Sequence, residues 1–304
     1  MTQLITTLGP RQRSELGLIL PHEHVFVDLR HPEASDYRSV DAASVVRLMA
    51  PQIEAIAAQG VTALVDCATG GVGRRADVSL AVSQATGLPI VVATGNYREP
   101  WIPRWVAEAT EAELETWMHS ELTEGIEDTG VQAAWIKVSA GDDGITPLET
   151  SILRAAARAA ARTGATIGSH TIRGRVVLEQ LDILAAEGVD PGRFVWIHTQ
   201  EEPDFALHET VAARGAWIEY DHVGRVPDDE LVRMIGRAIE HGLERRLLIS
   251  QDRGWYDPAQ PDGGSPLPYT HLVGSLLPAL TAAGIPEGTL RRLTQDNPFD
   301  AFAR

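Results

Sequence analysis

Eight short runs rich in β-branched and aromatic residues, each followed by a stretch with helical periodicity, recur along the chain, and this alternation restricts the possible folds more than any other feature. The expected strands are 17–26, 61–67, 89–94, 133–138, 166–170, 194–198, 216–222 and 246–250. Between them lie segments such as "DAASVVRLMAPQIEAIAAQG", "PLETSILRAAARAAARTG" and "DDELVRMIGRAIEHG", whose terminal glycines suit helix C-caps. Eight such units predict an α/β protein built as a closed parallel (β/α)8 barrel (a TIM barrel), with its chemistry at the C-terminal ends of the strands. An open doubly wound sheet is the alternative, but no strand leads into a glycine-rich dinucleotide fingerprint. "TGGVGRR" matches only in part and is expected to be a tight turn with Arg74 or Arg75 at the rim.

The flanking segments fit the same plan. "QLITTLGPRQRSELG" is expected to form a short N-terminal hairpin beneath the barrel. "RGWYDPAQPDGGSPLPYTH" is an extended loop after strand eight, where it would hang over the active face, with Trp255 and Tyr256 either covering the mouth or packing the loop down. No linker or low-complexity tract interrupts the 304 residues, so residues 1–304 read as a single barrel domain.

Composition narrows the class of partner. A formal charge of -16 argues against nucleic acid, whose phosphates are held by clustered Lys and Arg. No apolar run is long enough to cross a bilayer, and the N-terminus lacks the pattern of a signal peptide, which predicts a cytoplasmic protein with no membrane partner. Cys67 is the only cysteine; "VTALVDCATG" places it as a small buried residue rather than a reactive thiol.

Chemically capable residues gather at one end of the expected strands. "LILPHEHVFV" puts His22 and His24 two apart, which on a strand turns both to one face. Strand four supplies Lys137, strand five His170, strand six His198, strand seven His222 and strand eight Asp252. Four neutral imidazoles and a carboxylate, without thiolate, suit a borderline divalent ion such as zinc, cobalt or manganese. Two such cations close together require a bridging anion, which a bare ammonium cannot supply. Lys137 lies among Trp135, Ile136 and Val138, a setting in which a charged amine is costly and its chemistry readily altered.

The ordered set "LGP", "HEH", "IKVSAGDDGITPLE", "TGATIGSHT", "IHTQEEPDF" and "DNPFDAFA" resembles the phosphotriesterase-related branch of the amidohydrolase superfamily, including its lactonases, over essentially the whole chain. The resemblance implies a binuclear metal centre. His22, His24 and Asp252 would hold the more buried ion, His170 and His198 the more exposed one, and a carboxylated Lys137 would bridge both. A water or hydroxide shared by the ions would be the nucleophile, Asp252 would accept its proton, and His222 followed by Glu201 would relay it outward. Glu201 stands where relatives often have aspartate and equally suits a solvent-facing rim carboxylate. Gln251 replaces the histidine common in "SHD"; beside Asp252 on a strand it should point away and affect packing. Relatives also suggest a homodimer.

Substrate choice is less strongly encoded. Tyr97, Arg173, Arg225 and Arg253 follow strands three, five, seven and eight, and together they suggest a mouth suited to an anionic or polyhydroxylated small molecule. The leading expectation is hydrolysis of a lactone or other carboxylic ester, such as a sugar or phosphosugar lactone. Phosphotriester hydrolysis is the second, and a barrel retained as a non-catalytic binding protein the third. The short loop "VGRVPDDE" after strand seven weakens any case for a long acyl-chain channel.

Overall fold

The computed structural model describes residues 2–304. All eight expected strands form: β1 (Leu18–Phe26), β2 (Val61–Asp66), β3 (Ile90–Thr94), β4 (Trp135–Ser139), β5 (Ile167–His170), β6 (Phe194–Ile197), β7 (Trp217–Tyr220) and β8 (Leu247–Ile249). They run parallel in sequential order, and helices fill every crossover. A ninth strand, β9 (Gly254–Tyr256), was not expected; it pairs parallel with β1 on that strand's free edge. Its approach demands glycine, because a β-carbon at Gly254 would collide with the His24 carbonyl oxygen and the Tyr269 hydroxyl. Alternation along β9 sends Trp255 toward the mouth, while Tyr256 is buried and stacks on Phe26 at 5.9 Å between ring centres.

The helix after β4, Pro147–Thr163, shows why the crossovers form where they do. Thr146 and Glu149 make reciprocal capping bonds of 3.2 and 3.0 Å, Pro147 occupies the first turn, and Gly164 closes the helix with φ 73°. Its buried face is mostly alanine, which lets the helix lie close against its neighbours.

Two apolar layers result. One lies between strands and helices. The other fills the barrel interior toward its N-terminal end with Ile19, Val65, Trp135, Val195 and Leu248. That floor is sealed from below by Leu4, whose residue pairs antiparallel with Arg11 in the expected hairpin, and by Phe302, edge-on to Trp135 at 5.1 Å. Polar side chains are thereby left to the opposite, C-terminal mouth.

Strand parity explains most of the inward-facing set. Trp135, Lys137 and Ser139 share one face of β4, as Trp217 and Glu219 share one face of β7. β1 breaks this rule. Ile19 points inward, yet so does His22, because the pairing with β2 shifts register between Leu20 and Glu23, around Pro21.

β8 and β1 close the barrel through side-chain as well as backbone bonds. Ser250 Oγ accepts from the His22 N–H at 2.9 Å and faces the His22 carbonyl at 3.0 Å and Glu23 Oε1 at 2.9 Å; the Asp252 N–H donates to the His22 carbonyl at 3.0 Å. Of the two arginines expected near the rim, Arg75 is half-buried and pairs with Asp77 at 2.6 Å, whereas Arg74 is buried, because it forms a two-pronged pair with Glu121 at 2.5 and 2.6 Å that offsets burial of both charges. Ser250→Ala removes a hydroxyl shared by three partners and is expected to cost about 1–3 kcal/mol in urea unfolding; an unchanged midpoint would show that the seam closes without it.

Candidate metal centre

The mouth holds a cavity of about 80 Å³ lined by His22, His24, Lys137, His170, His198 and Asp252, with Tyr97, Trp255 and the apolar Val27, Leu29 and Val72 around them. Strands one, four, five, six and eight thus bring six chemically capable side chains to one point. His24 Nε2 lies 3.1 Å from Asp252 Oδ1, and His22 Nε2 lies 3.6 Å from the same oxygen. The rings of His170 and His198 are 4.5 Å apart, and those of His22 and His198 5.3 Å.

Backbone geometry at the site departs from ordinary strand conformation. His198, Asp252 and Trp255 have φ of 66°, 50° and 75°, left-handed values that cost non-glycine residues roughly 1–3 kcal/mol each. Surrounding bonds hold them there. Asp221 accepts from both the backbone N–H and Nδ1 of His198, at 3.0 and 2.8 Å, and the seam fixes Asp252.

Unpartnered atoms test whether the residues suit cations. Among the described residues, His22 Nε2 and Asp252 Oδ1, both on the cavity side, are buried without hydrogen-bond partners. Such orphaned acceptors and donors are rare in native interiors unless something absent completes them. His22, His24 and Asp252 also form one group whose ligand atoms lie within 4.8 Å of one another. Burial first, then the Lys137 charge, holds the His22 imidazole well below its usual range; burial first, then His198, does the same for His170. Both effects favour the neutral form that binds metals. A second compact group, His22, His198 and Asp221, is different in kind: its ring nitrogens already face carboxylates at hydrogen-bond distance, so it orients imidazoles.

The remaining residues singled out in the sequence fall at varied distances from the cavity. His222 Nδ1 meets Glu201 Oε1 at 2.9 Å just outside the lining. Tyr97 lies within the lining, its hydroxyl 3.4 Å from His170 Nε2. Arg225 is engaged by Asp252, through Oδ2 at 2.9 Å and the carbonyl oxygen at 2.5 Å. The Arg253 guanidinium bonds to the Gly224 carbonyl, and Arg173 stands exposed at the start of the following helix; neither lines the cavity.

Three buried acids were missed from the sequence. Glu23 points away from the cavity and accepts from Ser250 Oγ, Gln251 Nε2 and the Arg253 N–H at 2.9, 3.1 and 2.9 Å. Gln251 in turn donates to the Tyr269 carbonyl at 2.6 Å and accepts from the Leu272 N–H at 2.9 Å, tying the last ligand strand to the segment beyond the loop. Glu219 and Asp221 lie behind the histidines. The available signal was their parity in "WIEYD", where both acids fall on the same inward face as Trp217.

A parallel eight-stranded barrel with a histidine cluster at its C-terminal mouth defines the class. The phosphotriesterase family model matches residues 2–302, and the chain belongs to that family. It is similar to the phosphotriesterase homology protein of Mycobacterium tuberculosis, 33% identical, with 100% of this chain and 98% of that one covered. A variant of the PTE-like lactonase of Deinococcus radiodurans superposes with a TM-score of 0.88 at 31% identity, over 98% of this chain and 99% of that one. The phospho-furanose lactonase of Mycoplasmopsis synoviae is 24% identical, over 98% of this chain and 91% of its own. The family and these clusters are consistent with a metal-dependent hydrolase acting on a small molecule. Among the described residues no helix is long and apolar enough to cross a membrane.

Cys67, just past the C-terminal end of β2, lies inside the barrel, 1% exposed, and burial pushes its thiol well above the usual range. Iodoacetamide at neutral pH is therefore expected to leave the native protein unlabelled and to label it fully in denaturant, as read by intact mass. Rapid native labelling would contradict this placement.

Proposed function

We propose that the chain is a metal-dependent hydrolase that opens a small lactone or related carboxylic ester, with sugar or phosphosugar lactones the best-fitting class, inside one barrel domain. The observation that carries the reading is the convergence of His22, His24, Lys137, His170, His198 and Asp252 on a single cavity with ligand atoms left unpartnered.

In this reading His22, His24 and Asp252 would hold one divalent cation, zinc, cobalt or manganese, and His170 and His198 would hold a second. Lys137 would span the two once its ammonium has lost one proton and the free amine has added carbon dioxide and lost a second, which turns a buried cation into the anion the site needs. When bound, the cation pair supplies Lewis-acid polarisation of the scissile carbonyl and acidifies water.

The chain's own residues do the rest. Asp252 takes the proton of the attacking water, and Arg225 on Oδ2 holds that carboxylate in place. Glu201 fixes the His222 tautomer with hydrogen on Nδ1, so that Nε2 is free to accept a proton on its way to solvent. Tyr97 presents a hydroxyl inside the cavity and can donate to a substrate oxygen. Trp255, Leu29, Val27 and Val72 exclude water from the reacting group.

The short loop after β7, residues 223–230, offers little to line a long acyl-chain channel, and relatives of this chain include lactonases. Turnover of aldonolactones and their phosphates should therefore exceed that of long-chain acyl-homoserine lactones and paraoxon-like triesters; triester hydrolysis outrunning every lactone would overturn the ordering.

Asp252→Asn is expected to lower kcat by about 10²–10⁴ without unfolding the protein. His222→Asn should slow turnover while metal content by elemental analysis stays unchanged; loss of metal would make His222 a ligand instead. Lys137→Ala should lose metal and recover part of it, with activity, when a short carboxylic acid is supplied.

A further inference from the structure

β7 supplies none of the six side chains grouped above, yet it and the residue just after it carry the two acids that touch them from behind. Glu219 and Asp221 stand two apart on the inward face. Asp221 Oδ1 lies 2.8 Å from His198 Nδ1 and also accepts from Gln200 Nε2 at 2.7 Å. Glu219 Oε2 lies 2.8 Å from His22 Nδ1, while Asp221 Oδ2 is farther from that nitrogen, at 3.4 Å. One histidine from each proposed cation is thus backed by a carboxylate on or just after β7. His24 is not, its Nδ1 being buried without a partner among the described residues.

We propose that Glu219 is a positioning residue for the buried cation: by holding the proton on His22 Nδ1 it directs the lone pair of Nε2 at His24 and Asp252 and raises its basicity. The inference rests on the metal-dependent hydrolase reading.

Three observations support it. An imidazole whose Nδ1 donates to a carboxylate has its other nitrogen free, and His22 Nε2 is buried and unpartnered. Glu219 cannot drift, because the Thr199 hydroxyl and the Glu219 N–H hold its backbone at 3.2 Å and the residue is 1% exposed. Its second oxygen, Oε1, has no hydrogen-bond partner. A buried carboxylate satisfied on one oxygen only, with Asp221 on the same face, is unfavourable by itself, and nearby positive charge is what offsets it.

Glu219→Gln keeps the length and an oxygen acceptor for Nδ1–H but removes the charge. Zinc affinity, read by competition with a chromophoric chelator, should weaken by about 10–100-fold, while the Tm of the metal-free protein stays equal to the parent's or rises. Affinity within twofold of the parent overturns the proposal. So does weaker binding accompanied by a lower metal-free Tm, which is what a general structural role would give.

Should the variant not fold, long-range ¹⁵N–¹H histidine spectra of the zinc-loaded parent decide: a proton on His22 Nδ1 supports the assignment, and one on Nε2 refutes it. A parent that takes up no zinc refutes the hydrolase reading and this inference together. A parent that binds zinc beside a variant that binds it equally refutes this inference alone.

Discussion

Closure of the barrel between its first and last strands is the constraint on which the site depends. His22 and His24 come from one end of the chain and Asp252 from the other. They meet because Ser250 and the Asp252 N–H bond to the backbone of His22. The same residues that seal the sheet therefore set the distances of 3.1 and 3.6 Å between the imidazoles and the carboxylate. Glu23 and Gln251 extend the seam outward to Tyr269 and Leu272, so the loop beyond β8 is anchored to the site rather than draped over it.

Burial then gives the cluster its chemical character. Burial favours the neutral form of the His22 and His170 imidazoles, and carboxylates placed behind His22 and His198 fix which nitrogen faces the cavity. Left-handed backbone at His198, Asp252 and Trp255 would relax in a freer chain; here hydrogen bonds around those residues hold it. The arginines show the complementary economy. Arg225 and Arg253 spend their guanidinium groups on Asp252 and the Gly224 carbonyl, so they shape the mouth more than they charge it.

Much of this was legible in the sequence because it follows from period-two alternation. Strand and helix runs predicted all eight barrel strands, the N-terminal hairpin and the inward set at strand ends. Alternation alone would not have turned His22 inward, since Ile19 already points there; the register shift around Pro21 does so and leaves no clear mark in the residues. β9 escaped notice because three residues bounded by glycine and proline look like loop. Burial of Arg74 leaves no local mark because its partner, Glu121, lies 47 positions away on a helix, while Arg74 itself sits in the turn after β2. Glu219 and Asp221 were overlooked among apolar neighbours, although their spacing put both on the inner face.

Anomalous X-ray diffraction at the zinc edge, from crystals of the zinc-loaded protein, tests the central claim most directly. Two peaks per chain in the mouth, one among His22, His24 and Asp252 and one beside His170 and His198, are predicted. A mouth without anomalous density, in protein that still hydrolyses lactones after chelation, would contradict it.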